Sequence, residues 1–132
     1  MPEIDSSNFI EEIKYNKDGY FVKNKGFLFK KSKVTVVTPV YNAAPFLRKT
    51  IDSVINQSIQ FENIEFILVD DKSTDSSREI LWEYAKKHKN IIAVFLQDNT
   101  GSPSRPRNLG IELAKSKYIT MGNSIRGKIL SY

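Results

Sequence analysis

The sequence predicts an α/β fold in which helices cover both faces of a parallel β-sheet. From Lys33 onward, strand and helix signals alternate in the order strand, helix, strand, helix, strand, helix, strand. This is the pattern of a parallel sheet with crossover helices. The predicted strands are also apolar almost throughout, as strands are when both faces of their sheet are covered. The chain has 132 residues, of which 40% are hydrophobic, and this is enough for a single core.

Four segments carry the strand signal. Each is a short run of β-branched and other apolar residues that ends at polar or turn-forming residues. In chain order they are "KVTVVTPV", "IEFILVDD", "IIAVFL" and "KYITM". The carboxyl ends of parallel strands lie at one edge of the sheet, where such folds bind their ligands. The polar residues that follow the strands are therefore the candidates for a functional site.

Three segments between the strands carry helix signals. In the first, Pro45 suits an opening turn, and the residues on one face are Leu47, Ile51, Val54, Ile55 and Ser58. In the second, Ser76 and Glu79 have the spacing of a capping box, and the apolar stripe consists of Ile80, Leu81, Tyr84 and Ala85. The third is the shorter segment "SRPRNLGIELAKS".

Residues 1–32 form a predicted N-terminal extension. Within it, "GYFVKNKGFLFKK" predicts two short strands around a turn at residues 24–26. Residues 14–33 contain seven lysines and one acidic residue, interleaved with aromatic side chains. Such a surface suits anionic lipid, polymer or nucleic acid, but the pattern favours a solvated hairpin whose aromatic residues pack on the domain. Peripheral contact with the inner face of a membrane stays an alternative, and no nucleic-acid partner is expected.

The residue inventory excludes several kinds of site. No run reaches the roughly 18 apolar residues of a membrane span, and "MPEIDSSNFIEEIKYNK" does not have the composition of a secretory signal. The chain has no cysteine, which excludes disulfides, thiol nucleophiles and thiolate metal sites. Its single histidine, His88, lies late in a helix among lysines, so neither a Ser-His-Asp triad nor a histidine-rich metal site is expected. A cytoplasmic location is predicted.

Three polar segments follow predicted strands. In "TPVYN", Tyr41 offers a flat ring that can stack on a base or pack on the next helix. In "VDDKSTD", Asp70 and Asp71 point in opposite directions if the strand geometry continues. We expect Asp70 to anchor the loop and Asp71 to accept a uracil imide N–H or a ribose hydroxyl. In "DNTGSPSRPRNLG", Arg105 and Arg107 at a helix start suit a diphosphate.

Together these segments resemble the inverting family-2 glycosyltransferases, which have the GT-A fold. The segments "VTVVTPVYNAAPFLRKTIDSVINQS", "IEFILVDDKSTDSS" and "NTGSPSRPRNLGIELAKSKYIT" look like three motifs of that family in the right order, within a predicted domain at residues 33–121. The resemblance implies a Rossmann-like parallel sheet flanked by helices, a UDP-sugar donor, and a glycan or cell-envelope polymer as acceptor. One departure is Lys72, where the family usually has glycine.

The resemblance also implies roles for individual residues. Those that it places at the substrate are Pro39, Val40, Tyr41, Asp70, Asp71 and Arg107. The first three would border the nucleoside. The second aspartate would bind the base and the first would support the loop, while the arginine would lie near the diphosphate.

After "KYIT" the chain departs from the family. Family members have an Asp-X-Asp motif there, which holds Mg or Mn on the sugar diphosphate, and a later acidic residue acts as general base. Asn123 and Ile125 stand at the two aspartate positions, and an amide is a weak ligand for such ions while an isoleucine is none. We therefore expect no metal and no catalytic residue in this chain. We also expect a divergent tail at residues 122–132, and a fold that is incomplete at the C-terminus and inactive alone.

Two other functions remain as alternatives. A non-catalytic binding or scaffold module would keep the fold without turnover. A receiver-type phosphoacceptor domain also has adjacent aspartates after a strand, but it needs them after the first core strand, whereas Asp70 and Asp71 follow the second. The sequence therefore favours the nucleotide-sugar-binding half of a glycosyltransferase.

Overall fold

The computed structural model describes residues 13–26, 34–57, 61–114, 118–121 and 125–126. The strands in these ranges are β1 (Tyr20–Lys23), β2 (Val34–Tyr41), β3 (Ile64–Asp70), β4 (Ile91–Leu96), β5 (Tyr118–Met121) and β6 (Ile125–Arg126). The helices are α1 (Ala44–Gln57), α2 (Ser77–Lys87) and α3 (Ser104–Leu113), and a 3-10 turn at Phe61–Asn63 precedes β3. Every predicted core strand and helix is present. No helix in the described part of the chain is long and apolar enough to cross a membrane.

The strands form one sheet in the order β1-β4-β3-β2-β5, and β6 pairs with the carboxyl end of β2. The core strands β2 to β5 are parallel, whereas β1 runs antiparallel to β4 at one edge. The chain adds β3 and β4 on one side of β2 and then crosses to add β5 on the other side. This reversal makes β2 the topological switch point, where open α/β sheets have a crevice at the carboxyl ends of their strands.

Helices cover both faces of the sheet, as the sequence predicts. On one face, α1 and α2 pack on the sheet through a cluster that includes Leu47, Ile51 and Leu81, all fully buried, together with Phe66 of β3. On the other face, α3 packs through Leu109 on a second cluster. The removal of these apolar side chains from water is the main favourable contribution to folding.

Gly110 lets α3 approach β2 closely. A Cβ atom at this position would lie 2.3 Å from Cγ1 of Val37, whose side chain is fully buried. Carbon atoms in favourable contact are roughly 3.5–4.0 Å apart, so only a residue without a side chain fits. This close approach sets the distance between β2 and α3, and with it the position of the loop that precedes α3.

The capping box predicted at the start of α2 is wrong. Ser76 occupies the N-cap position, but its side chain makes no capping hydrogen bond. Instead, the backbone N–H of Ser77 donates to Oδ1 of Asp75 at 2.9 Å. Asp75 is held there because its Oδ2 accepts the backbone N–H of Ala44 at 3.1 Å. The contact comes from another helix, so the sequence pattern of α2 alone does not contain it.

The N-terminal segment at residues 13–26 packs on the sheet. Its predicted strand is present as β1, which pairs with β4, and the second predicted arm lies outside the described residues. The Phe21 ring stacks against Trp82 and Phe95, with centroids 6.1 Å and 6.4 Å away. The packed interpretation is therefore confirmed for this aromatic residue. The boundaries predicted at 32/33 and 121/122 stay predictions, although β1 and β6 both belong to the same sheet.

Candidate functional site

A cleft opens at the carboxyl ends of β2 and β3, at the switch point. The space between its walls, about 170 Å³, is shallow and includes open solvent, and its lining residues are Pro39, Val40, Tyr41, Asp71, Ser102, Pro103 and Pro106. The structure thus brings together the first three predicted substrate residues and the second aspartate. A ligand would therefore lie against these residues rather than within an enclosed cavity.

The end of β2 forms an apolar wall of the cleft. Pro39 and Val40 pair in register with Val69 and Asp70 of β3, and the Val40 side chain is buried in the core below. Tyr41 is the last residue of the strand and is half-buried. Because proline fixes its own φ angle and an aromatic ring is flat, this wall suits stacking against a planar ligand.

Asp71 places a carboxylate in the cleft. The residue is 2% exposed, and its Oδ1 accepts hydrogen bonds from the backbone N–H and the hydroxyl of Thr100, both at 2.9 Å. The side-chain amide of Asn99 also donates to the Asp71 carbonyl at 2.8 Å. A carboxylate has about four acceptor positions. These contacts therefore orient Asp71 and leave it able to accept an N–H or O–H group from a ligand.

Asp70 is not among the residues that line the cleft. It is fully buried, and its Oδ2 accepts the backbone N–H of Ser73 at 2.9 Å, while the Ser73 hydroxyl donates to Oδ1. Nε of Arg78 lies 3.1 Å from Oδ2. Burial raises the pKa of Asp70 to about 6, against the opposing effects of Ser73 and Arg78. Asp70 therefore holds the loop, and the opposite orientation of the two aspartates follows the alternation of side chains along a strand.

The start of α1 and the loop after β3 are fastened to each other; we call these residues, 42–44 and 73–77, the loop clamp. The first N–H groups of a helix have no partner within the helix. Here the backbone N–H groups of the first helical residue and of the two residues before it donate to side chains of the loop: Asn42 to Ser73 Oγ at 2.8 Å, Ala43 to Ser77 Oγ at 2.8 Å, and Ala44 to Asp75 Oδ2 at 3.1 Å. In return, the backbone N–H of Thr74 donates to Oδ1 of Asn42 at 2.7 Å. The clamp joins the segment that follows Tyr41 to the loop that begins after Lys72.

Lys72 lies between the cleft and the loop clamp in a left-handed conformation, with φ of 58°. This conformation costs a residue with a side chain roughly 1–2 kcal/mol, whereas glycine adopts it readily. The departure from the family's glycine therefore falls at a position where the backbone favours glycine. The side chain of Lys72 is exposed and follows directly after Asp71.

The structure does not bring Arg107 into the lining of the cleft. This residue is half-buried near the start of α3, directly after Pro106, which does line it. Arg105 is exposed, and its Nη2 donates to the carbonyl of Asp18 at 3.4 Å. The first turn of α3 contains no acidic residue. Cations at the positive end of a helix dipole cost about 0.3–1 kcal/mol each, and an anion bound there would offset this cost.

The sequence patterns did not single out four residues of the site: Thr100, Ser102, Pro103 and Pro106. All four lie in the predicted polar segment after β4, but composition gave no reason to choose among them. For Thr100, the feature of the sequence that could have identified it is its place in an Asn-Thr-Gly turn. In the structure its hydroxyl and its backbone N–H both donate to Asp71. For the two prolines the signal is their position at a helix start, where a residue without an N–H loses no hydrogen bond.

One of the two positions implied for metal ligands, Ile125, lies beside the cleft. Ile125 and Arg126 of β6 pair in register with Val40 and Tyr41. Isoleucine has no donor atom for a metal, and Asn123, which lies outside the described residues, carries only an amide. Across the described ranges, no group of three His, Cys, Asp or Glu side chains could hold a metal ion. The residues present at this position therefore do not fit a divalent metal.

A flat apolar wall, an oriented carboxylate and a cationic helix start are groups that can contact a planar, anionic ligand. Residues 35–123, well over half of the chain, match the family model described as "Glycosyl transferase family 2". The chain belongs to glycosyl transferase family 2. The resemblance that the motifs carry is thereby confirmed, and the receiver-type alternative has no support from this match.

Several family-2 and GT-A proteins share this fold. The poly(ribitol-phosphate) beta-glucosyltransferase of Bacillus spizizenii is 44% identical over 92 residues, which are 70% of this chain and 14% of that protein. A crystal structure of S. aureus TarS 1–349 in complex with UDP has a TM-score of 0.63 at 28% identity and covers 69% of this chain and 27% of its own. TarS 1–349 has also been solved with UDP-GlcNAc.

A third likeness shows the fold alone. The mannosyltransferase PcManGT of Pyrobaculum calidifontis, solved with GDP-Man and Mn2+, has a TM-score of 0.62 at 22% identity and covers 73% of this chain and 28% of its own. This chain spans less than a third of the length of each of these relatives. The family match therefore applies to residues 35–123 and to only part of the length of these relatives.

Proposed function

We propose that this chain forms the donor-nucleotide side of a glycosyltransferase that uses a UDP-sugar. The observation that carries the proposal is the buried carboxylate of Asp71, held by Thr100 in a cleft with a flat apolar wall. Uracil presents an imide N–H at its edge, and a nearly buried carboxylate favours such a donor. Tyr41 and Pro39 supply the surface on which the ring stacks.

The charge of the cleft supports uracil over cytosine. Cytosine has an acceptor nitrogen where uracil has its N–H, so a carboxylate that faces this position disfavours cytosine. We expect the chain to bind UDP more tightly than CDP.

The diphosphate belongs at the start of α3. Backbone N–H groups there have no helical partner, and Arg107 and Arg105 add positive charge with no acidic residue in the first turn. Arg107 lies outside the cleft lining, which suits contact with a phosphate that extends beyond the base.

For the acceptor we propose a glycan or cell-envelope polymer. The Bacillus spizizenii relative is named for glucosyl transfer to poly(ribitol phosphate), and TarS has been solved with UDP and UDP-GlcNAc. These names support a polymer acceptor and a UDP-sugar donor for this chain as well. We propose that residues other than the described ones bind the acceptor and take its proton. The cytoplasmic location and the membrane contact of the basic N-terminal segment stay predictions.

In family members with the Asp-X-Asp motif, we propose that bound Mg or Mn offsets the negative charge that develops on the departing diphosphate. Asn123 and Ile125 do not fit such an ion, so we assign no metal-dependent step to this chain. The same mismatch supports a second candidate function, a module that binds the nucleotide-sugar without turnover. Manganese-stimulated release of UDP from a UDP-sugar would distinguish the enzyme from the binding module.

Calorimetric titration with UDP tests the proposed site. Asp71→Ala should weaken UDP binding by about 1–3 kcal/mol, because a charge-assisted hydrogen bond is lost. Asp52→Ala is the matched control, since that carboxylate accepts a hydrogen bond from Tyr84 between α1 and α2 and does not line the cleft. Equal affinity of the parent and Asp71→Ala would overturn the assignment of Asp71 to the base.

A further inference from the structure

Arg78 joins three parts of the molecule beneath the cleft. It is the second residue of α2, and its side chain is 13% exposed. Its Nε lies 3.1 Å from Oδ2 of Asp70, Nη1 donates to the hydroxyl of Tyr15 at 2.9 Å, and Nη2 donates to the carbonyl of Leu96 at 2.8 Å. The guanidinium also lies over the Phe95 ring, 5.1 Å from its centroid. One side chain thus fixes the ends of β3 and β4 against the N-terminal segment.

Two of these partners, Asp70 and Leu96, lead to the cleft along the chain. Asp70 precedes Asp71, and Leu96 ends β4 just before the loop that contains Thr100 and Ser102. Tyr15 is different, because it lies in the N-terminal segment, outside residues 35–123 that match the family. A part of the chain that the family model does not cover therefore contacts the support of the site.

An ion pair followed by two hydrogen bonds links Arg78 to the wall of the cleft. When Asp70 is ionised, it is only an acceptor, so the Ser73 hydroxyl must donate its proton to it. The oxygen of Ser73 then accepts the backbone N–H of Asn42 at 2.8 Å, directly after Tyr41. A protonated Asp70 could donate to the Ser73 hydroxyl instead, and the Ser73 proton would then no longer be held toward Asp70. The cation of Arg78 favours the ionised form.

The location of Arg78 also argues against a purely local role. A cation in the first turn of a helix is opposed by the helix dipole, and burial of a charged pair carries a desolvation cost. Because both effects are unfavourable, an arginine at this position does not stabilise α2 itself.

We propose that Arg78, anchored by Tyr15, is a positioning residue that orders the nucleotide cleft through Asp70 and Ser73. This inference rests on the proposed function, since it concerns the same cleft. The N-terminal segment is then part of the nucleotide site's support, and a change at Tyr15 alters nucleotide affinity from outside the family-matching region.

Calorimetric titration of the full chain with UDP tests the inference. Tyr15→Phe removes a single hydroxyl and should weaken binding about threefold; Arg78→Met should weaken it by at least about tenfold. The matched control is Arg48→Met, which removes an exposed arginine paired with Glu83 on the outer side of α1 and α2. This control should stay within about twofold of the parent. Circular dichroism and the melting temperature establish which variants are folded.

The pH dependence of uridine binding separates positioning from simple structural support. Uridine has no group that titrates between about pH 5 and pH 8, the range in which a raised carboxyl pKa is visible. The groups that face Asp70 are Arg78 of α2 with its partner Tyr15, Ser73 and Asp75 of the loop after β3, and the apolar neighbours in register, Val40 and Phe95. In the parent, uridine affinity should rise as Asp70 ionises. Arg78→Met should move this midpoint to higher pH, and Arg78→Lys should restore it.

The outcomes test the proposed function and the positioning role of Arg78 separately. If the parent does not bind UDP, the proposed function fails. If the parent binds UDP and folded Tyr15→Phe and Arg78→Met bind it equally well, the positioning role is overturned. A loss of affinity with an unchanged pH midpoint would also overturn it, because it would mean that Arg78 only stabilises the fold. Should Arg78→Met not fold, Tyr15→Phe and Arg78→Lys decide the question.

Discussion

Replacement of Gly110 by alanine tests whether the packing of α3 on β2 controls the cleft. The added Cβ would lie 2.3 Å from Cγ1 of Val37 and 3.4 Å from its Cβ and Cγ2. Val37 has little freedom to turn away, because a β-branched side chain is stiff at χ1 and this one is fully buried. The helix must therefore move away from the strand, or the core must strain.

Two opposing effects determine the expected size of this perturbation. Overpacking of a core typically costs about 1–3 kcal/mol, whereas alanine in place of glycine within a helix contributes roughly 1 kcal/mol of helix propensity. We expect a net decrease of up to about 2 kcal/mol in the free energy of unfolding. Because outward movement of α3 shifts Pro103 and Pro106 away from Tyr41, UDP affinity should fall as well.

A double-mutant cycle with Val37→Ala, measured by urea denaturation, isolates the contact. In the Val37→Ala background the clash is removed, so Gly110→Ala should be neutral or stabilising by up to about 1 kcal/mol. UDP affinity should then be insensitive to Gly110→Ala. Equal destabilisation by Gly110→Ala in both backgrounds would refute the reasoning, since the cost would then have no connection with Val37.

Three other substitutions have expected outcomes. Arg107→Ala should weaken UDP binding about tenfold and leave uridine binding nearly unchanged, because a guanidinium at the start of α3 acts on phosphate; an equal loss for uridine in calorimetry would mean that Arg107 supports the fold. Burial raises the pKa of Asp70 to about 6 in the folded chain. The folded chain therefore holds the Asp70 proton more tightly than the unfolded chain, and this group stabilises the fold below about pH 4. Up to about 3 kcal/mol of this contribution to the free energy of unfolding is lost as the pH rises to about 6. Denaturation at several pH values should show this decline, and Asp70→Asn should abolish it. Lys72→Gly should raise the free energy of unfolding by about 0.5–1 kcal/mol through relief of the left-handed strain, and an equal gain in Lys72→Ala would contradict this cause.

The elements of the fold could be predicted because their signals are local. The segment "IIAVFL" coincides with β4, and the stripe of α2 at residues 80–85 is buried where the helical period places it. The divergence of Asp70 and Asp71 also followed from a local rule, the alternation of side chains along a strand. Patterns of this kind depend on neighbours in sequence, and a single chain displays them directly.

The support of the site could not be predicted, because it depends on contacts between distant segments. Arg78 looks like an ordinary polar residue of an amphipathic helix, and only the folded chain brings it to Tyr15, 63 residues away in sequence. The capping box failed for the same reason, since Asp75 is held by the start of α1 rather than by α2. Thr100 is likewise chosen from its polar loop only by its contact with Asp71.

The loop clamp determines how the start of α1 and the loop after β3 expose their backbone amides to solvent. Amide protons at the start of α1 are bound by side chains of the loop after β3, and that loop's own amide at Thr74 is bound by Asn42. Neither segment can expose its amides to solvent while the other stays in place. The two segments should therefore behave as one cooperative unit in hydrogen exchange, with a shared opening rate. A ligand that contacts only one of them would slow exchange in both.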